Sequence, residues 1–210
     1  MLRFCYFFFG SNEQAESITS TIDSRMQRSL DRLFDLLVAR EFDAFAQLVQ
    51  HESRRSIDVE RRSETLLTKA IASKHVPSVR LLLEKGADPN HCRAMWRAIY
   101  SGVDEIVAML IAHGARVVDQ QEGGFTNSPL NIAVSCNRIV MVRHMIDAGA
   151  DPANTPTVVQ TATKNHVEPA LLSTLLAHGA GAHVDYGKGT RTGTPLMNVR
   201  DAALCSLLLK

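Results

Sequence analysis

The residues best suited to bind a metal or a phosphate lie close together near the end of the chain. His178, His183 and Asp185 have side chains that ligate metals, but His178 takes the same place in a repeating pattern as His113, so a scaffold role explains it more simply. The stretch Gly187-Lys188-Gly189-Thr190 resembles the end of a phosphate-binding loop, but the upstream glycine of that motif is missing. We therefore expect neither a metal site nor a phosphate site.

Nucleophilic catalysis has equally little support. Cys136 has no histidine in its own repeat, and a buried cysteine is usually inert. Catalysis of this kind needs a nucleophile, a base and an orienting group close together, and the sequence shows no such set. We expect a protein that is not an enzyme and that needs no cofactor.

A Gly-Ala pair that follows two large apolar residues organises the chain. It occurs four times, at Gly86, Gly114, Gly149 and Gly179, so the glycines are 28, 35 and 30 residues apart. A period of this size is typical of helical repeat arrays. A second element precedes each glycine by 21 residues, or by 22 in the last unit, which needs one extra residue. Its copies are Thr65-Leu66-Leu67-Thr68-Lys69-Ala70, Arg93-Ala94-Met95-Trp96-Arg97-Ala98, Ser128-Pro129-Leu130-Asn131-Ile132-Ala133 and Thr157-Val158-Val159-Gln160-Thr161-Ala162.

Both elements have a physical interpretation. A Thr or Ser at the first position can cap a helix by accepting backbone N–H groups, and the small Ala five residues later lets a paired helix approach closely. In the next helix, apolar residues spaced by three and four, such as Val79, Leu82 and Leu83, share one face. The closing glycine suits the left-handed position just after a helix.

Together the two elements resemble the ankyrin repeat, whose pattern opens T-P-L-H-x-A and ends L-L-x-x-G-A-x-x-N. The resemblance covers roughly Ser63 to Lys210, with a fifth copy of the first element at Thr194–Val199. It implies an all-α, ankyrin-type solenoid of helix-turn-helix repeats with short hairpin loops. The histidine of T-P-L-H is absent from every unit, and its place is taken by Thr68, Trp96, Asn131, Gln160 and Met197.

Before the array, the apolar period becomes helical. Leu30, Leu33, Phe34, Leu37 and Val38 predict the buried face of one helix, and a shorter one is predicted at residues 42–50, with Phe42, Phe45, Leu48 and Val49 inward. This pair resembles a degenerate repeat that caps the array. The predicted domains are a flexible extension (1–29), the cap with a charged connector (30–62) and the array (63–210). Its repeats lie at about 63–92, 93–124, 125–154, 155–190 and 191–210.

Two further predictions concern the turns and the loops. His75 and His166 each follow a mid-repeat turn in similar settings, Lys74-His75-Val76 and Asn165-His166-Val167, which predicts capping or packing for both. The polar segment Val117–Asn127, with its paired glycines, predicts a hairpin finger. The interval between Asn90 and Arg93 leaves almost no room for one.

Composition constrains the partners and the compartment. The net charge of +1 gives no argument for nucleic-acid or membrane binding. The four cysteines are far apart and include no C-x-x-C pair, which indicates reduced thiols in a cytoplasmic or nuclear protein. The aromatic stretch Leu2–Phe9 could be a tail, a segment folded on the first helices or a short secretory signal.

The resemblance implies binding of another protein along a concave side made of inner-helix faces and hairpin tips. The matching helix positions are Ser73, Tyr100, Ser101, Ser135, Cys136 and Lys164, and the finger candidates are Arg62, Glu122, Phe125, Tyr186 and Arg191. An adaptor or regulatory subunit that recruits a client to an enzyme is the alternative. Apolar residues at the C-terminal end also raise self-association as an expectation.

Overall fold

The computed structural model describes residues 27–52, 57–59, 64–117, 128–155 and 157–181, together with residues 205, 206 and 208. It divides into two compact units, Met1–Ala87 and Asp88–Lys210. The described residues of both units form short helices joined by tight turns. The all-α, ankyrin-type fold predicted from the sequence is therefore confirmed. The division into an extension, a cap and an array stays a prediction.

Four helices have their bounds within the described residues of the first unit. Residues 27–39 are helical and are called α1, and they are followed by α2 (Phe42–Val49), α3 (Leu66–Ala72) and α4 (Val76–Glu84). Helix α4 packs against both α2 and α3. The predicted face of α1 is buried from Leu30 to Leu37, but Val38 is 64% exposed. The prediction that Val38 points inward is wrong, because a helical period identifies a face of a helix but not where its covering neighbour ends.

Residues 94–177 of the second unit, as far as the structure describes them, form three consecutive helix pairs. The pairs are α5 (Ala94–Ser101) with α6 (Asp104–Ala112), α7 (Pro129–Ser135) with α8 (Ile139–Asp147), and α9 (Val158–Lys164) with α10 (Pro169–Ala177). The first helices of the pairs, α5, α7 and α9, pack side by side, and so do the second helices, α6, α8 and α10. Each pair closes through its small residue, since Ala98, Ala133 and Ala162 are fully buried.

The Gly-Ala pair ends each second helix in the same way. At α8, Gly149 has a φ of 97°, its N–H donates to Ile146 O at 2.9 Å, and the N–H of Ala150 donates to Met145 O at 2.9 Å. These two bonds define the Schellman motif, which satisfies helix carbonyls that would otherwise lack donors. The same pair of bonds follows α4, α6 and α10. The predicted left-handed glycines are therefore confirmed.

Of the three first helices that begin with Thr or Ser, two have the predicted cap. Thr65 accepts the N–H of Thr68 and Ser128 accepts the N–H of Asn131, each at 3.2 Å. Thr157 makes no cap bond to its own helix; its hydroxyl lies 2.5 Å from Asn131 Nδ2 on the neighbouring first helix. The capping prediction is wrong for Thr157, because its backbone is already helical, with a φ of −85° and a ψ of −4°. Arg93, where the repeat pattern has Thr, makes no side-chain cap bond either.

The turn inside each pair also has a left-handed residue. Lys74, Asn137 and His166 have φ values of 57°, 54° and 49°, and Gly102 has a φ of 75°. His166 is therefore the turn residue itself, and it is equivalent to Lys74 and not to His75. The two histidines differ because the extra residue of the fourth unit, at Val167–Glu168, lies after this turn. The N–H of Glu168 donates to Asn137 Oδ1 at 3.1 Å, so the preceding turn anchors the insertion.

A short 3-10 helix, His91–Arg93, connects the end of the first Gly-Ala loop to α5, so no finger exists there, as predicted. Asn90 fixes this loop to the next one. Its Nδ2 donates to Gly114 O at 3.2 Å, and its Oδ1 accepts the N–H of Arg116 at 2.8 Å. These two hydrogen bonds of the Asn90 side chain explain why the repeat pattern ends in Asn. The predicted finger at 117–127 lies almost entirely outside the described residues.

Candidate functional site

Each first helix carries an exposed side chain at its seventh residue, one repeat after another. In the second unit these residues are Tyr100, Ser135 and Lys164, and all three are exposed. We call them the outer row. Because α5, α7 and α9 pack side by side, the outer row crosses three neighbouring helices. All three residues are candidates from the sequence, and the structure brings them onto one layer of helices.

The candidates next to the outer row are less available. Ser101 and Cys136 are half-buried in the second unit, as is Ser73 in the first. The hydroxyl of Ser101 donates to Ala98 O at 2.7 Å and accepts the N–H of Val103 at 3.3 Å. Ser73 and Ser135 likewise donate to helix carbonyls, at 3.0 and 2.8 Å. These hydroxyl protons stabilise helix ends, and a partner could use only the remaining oxygen lone pairs.

Tyr100 is the most prominent side chain of the outer row. It is 67% exposed, whereas the neighbouring Ile99 on the same helix is 1% exposed. One turn earlier, Trp96 is half-buried. The guanidinium carbon of Arg93 lies 4.8 Å from the centroid of the Trp96 ring, which is a cation–π contact. The Trp96 ring therefore restrains the guanidinium of Arg93, one helical turn before the exposed Tyr100.

Trp96 and Arg97 precede Tyr100 by four and three residues, which places these three side chains on one face of α5. Arg93 precedes the helix, and its contact with Trp96 adds it to this face. We call this the α5 face. Of these residues only Tyr100 was predicted as a contact from the sequence, where Trp96 is a departure from the repeat pattern and Arg93 and Arg97 are not distinguished. The spacing of Trp96 and Arg97 from Tyr100 is the signal that could have identified them.

The other candidates lie outside the described residues. They are the proposed finger residues Arg62, Glu122, Phe125, Tyr186 and Arg191. The suspected metal ligands His183 and Asp185 and the phosphate-like loop also lie there. Within the described part of the chain, no three His, Cys, Asp or Glu side chains are grouped closely enough to hold a metal, and no helix is long and apolar enough to cross a membrane.

His75 stands at the start of α4 in the first unit and confirms the predicted capping role. Its Nδ1 accepts the N–H of Ser78 at 3.3 Å and lies 2.8 Å from the Ser78 hydroxyl. Its ring stacks on Phe42, with ring centroids 3.6 Å apart and planes at 4°. Burial lowers the pKa of His75 below its ordinary value of 6.5, and the nearby carboxylate of Asp43 opposes the shift. This arrangement stabilises the scaffold and does not present a reactive group.

Comparison with known proteins agrees with this architecture. Residues 63–94 match the ankyrin repeat family model. This segment is therefore an ankyrin repeat. A relative described as "Putative ankyrin repeat-containing protein", from Treponema pallidum (strain Nichols), is 32% identical over 117 residues. That match covers 53% of this chain and 38% of the relative, so this chain spans well under half of the relative's length.

Solved ankyrin domains have the same fold. The human ASB11 ankyrin repeat domain superimposes with a TM-score of 0.66 and 20% identity, over 84% of this chain and 81% of that domain. The ankyrin repeat domain of Bcl-3, a member of the IkappaB protein family, gives a TM-score of 0.51 and 22% identity, over 85% of this chain and 97% of that domain. At these identities the likeness concerns the fold alone. Ankyrin repeat domains are generally protein-interaction modules, and most are not enzymes.

Proposed function

We propose that this chain is a non-enzymatic protein-interaction module that binds a partner protein through the outer row of its first helices. The observation that carries the proposal is Tyr100, an aromatic side chain that is 67% exposed on a well-packed helix. Burial of such a side chain against a partner removes a large apolar area from water. Tyrosine, tryptophan and arginine are also the residues most enriched among those that dominate binding energy.

The rest of the outer row fits such an interface. Ser135 and Lys164 are exposed beside Tyr100 on the neighbouring helices. Ser135 supplies a short polar side chain and Lys164 a positive charge, and polar residues around a central aromatic help to exclude water from it. We propose a cytoplasmic location, with a nuclear one as the alternative. The four cysteines are far apart in the sequence and include no C-x-x-C pair, which favours reduced thiols over a disulfide framework.

Two variants test the proposal. Tyr100→Ala removes the exposed aromatic from a first helix, and Val140→Ala removes a side chain that is 44% exposed from the second helix α8. Both truncate an exposed apolar residue, but only the first alters the outer row. Tagged wild-type protein and the two variants capture partners from a source lysate, and the captured proteins are quantified by mass spectrometry. Thermal unfolding of each variant confirms that its fold is intact.

We expect a stoichiometric partner that wild type and Val140→Ala retain equally and that Tyr100→Ala binds about tenfold or more weakly. Equal retention by all three proteins would contradict the proposed binding face. Capture of an enzyme together with its client would favour the adaptor role over a simple binding module. Enrichment of untagged copies of the same chain would instead favour the predicted self-association.

A further inference from the structure

The charges of the second unit are distributed unevenly between its two layers of helices. None of the first helices α5, α7 and α9 contains an Asp or a Glu. Among the second helices, α6 begins with Asp104 and Glu105, and α8 ends with Asp147. The whole chain has a net charge of only +1. The absence of acids from the first-helix layer is therefore a local property and does not reflect an excess of basic residues overall.

Positive charge stands at both ends of this acid-free layer. Arg93 is exposed at the start of α5, and Lys164 is exposed at the end of α9. Arg97 is half-buried and already interacts within the chain. Arg93 and Lys164 are therefore the two positive charges that a partner would contact. The acids that follow α5 and α9, Asp104 and Glu168, stand at the starts of the second helices α6 and α10. Asp88 and Asp151 lie in the loops before α5 and α9. There they accept the backbone N–H groups of Asn90 and Ala153, each at 2.8 Å.

We infer that the α5 face and the outer row bind an acidic segment of the partner protein, with Tyr100 packing against an apolar residue of that segment. This inference rests on the proposed function and identifies the class of partner. Charge complementarity supports it, since opposite charges across an interface accelerate encounter and disfavour wrong partners. The ring of Trp96 restrains the guanidinium of Arg93, so this arginine loses less side-chain freedom when it binds a carboxylate.

The spacing of the helices sets the length of the segment. Helices that pack side by side lie about 8–10 Å apart, so the axes of α5 and α9 are separated by about 16–20 Å. An extended chain advances about 3.3 Å per residue, so about six residues reach from one axis to the other. Arg93 precedes Tyr100 by seven residues, which adds about 10 Å along the helix axis, so an acidic segment of about nine extended residues can contact Arg93, Tyr100 and Lys164 in turn.

A library of random peptides displayed on phage, each longer than this span, provides the test. Peptides selected on the wild-type protein are sequenced, synthesised and measured by fluorescence anisotropy. The variants are Arg93→Glu, Lys164→Glu and Tyr100→Ala. The matched control is Arg143→Glu, which makes the same charge change at an exposed position on the second helix α8. Unfolding curves verify each variant, and Lys164→Glu gives an independent answer if the stacked Arg93 proves necessary for folding.

We expect the selected peptides to be enriched in Asp and Glu and to bind Arg93→Glu about tenfold or more weakly. Lys164→Glu should also weaken binding, Arg143→Glu should bind like wild type, and added salt should lower the affinity. Neutral or basic peptides that require Tyr100 would overturn the acidic preference but leave the proposed binding face intact. Peptides that bind Tyr100→Ala and Arg93→Glu as well as wild type would contradict both proposals. A selection that yields no binder would overturn the inference of a short linear partner segment.

Discussion

Lowering the pH should destabilise the first unit through His75. Only an unprotonated Nδ1 has the lone pair that accepts the Ser78 N–H at 3.3 Å. Protonation removes this cap and places a positive charge at a helix N-terminus, where the helix dipole disfavours it. The stacked Phe42 ring also keeps water from one face of the imidazole. All three effects favour the neutral ring, in agreement with a pKa that burial lowers from 6.5.

The sign of the pH dependence follows from this lowered pKa. As the pH falls, His75 in the unfolded chain binds its proton near its ordinary pKa of 6.5, before the folded protein does. The unfolded state then holds more protons, so the free energy of unfolding decreases with decreasing pH. The contribution of His75 is complete above pH 6.5 and is lost as the pH falls through 6.5 towards the folded pKa. Loss of an N-cap bond costs about 1 kcal/mol, so we expect the free energy of unfolding to fall by about that amount.

The variant His75→Asn isolates this effect, because asparagine caps helices well and does not titrate. Urea unfolding of wild type and variant, followed by circular dichroism at about pH 7.5 and about pH 5.5, gives the difference between their free energies of unfolding. We expect wild type to lose up to about 1 kcal/mol more than the variant over this interval. As a control, Ser78→Ala keeps the backbone N–H and should retain most of the pH dependence. Parallel pH profiles for wild type and His75→Asn would refute the reasoning.

Two further predictions concern left-handed backbone positions, and urea midpoints measure both. Gly149→Val should lower stability by about 1–2 kcal/mol, because its φ is 97°. No atom lies within 4 Å of an added Cβ there, so backbone strain is the main cause, and an unchanged midpoint would contradict it. Lys74→Gly should raise stability by about 0.5 kcal/mol, since relief of strain at a φ of 57° exceeds the added freedom of the unfolded chain; a lower midpoint would count against this balance.

The helix pairs could be predicted from the sequence because each one is specified locally. The Gly-Ala pair encodes the Schellman bonds, and the small alanine is buried where two helices meet. In both cases the residues that determine the geometry lie within a few positions of one another. The position of an insertion is not encoded in this way. His166 resembled His75 in its neighbours, yet the structure places the extra residue after the turn, where Asn137 of the preceding repeat accepts the N–H of Glu168.

The candidate site was harder to predict, because it depends on a contact that the repeat pattern does not contain. Arg93 stands where the pattern has a capping threonine, and Trp96 stands where it has histidine. Each substitution alone indicates only a diverged repeat. The structure shows that the two side chains stack, at 4.8 Å, one turn from the exposed Tyr100.

These substitutions also lower the stability of their own repeat. The helix α5 begins without a side-chain cap, and Arg93 has a φ of 56°, a strained value for a residue other than glycine. A missing cap and a left-handed arginine each destabilise by about 1 kcal/mol. The neighbouring helix α7, whose glycine-to-glycine interval is 35 residues and not 28, begins with the capping Ser128 and extended backbone. Arg93 instead ends the short 3-10 helix that leads directly into α5, and its side chain lies over Trp96. Backbone strain at a residue whose side chain belongs to a candidate site supports a functional role for that residue.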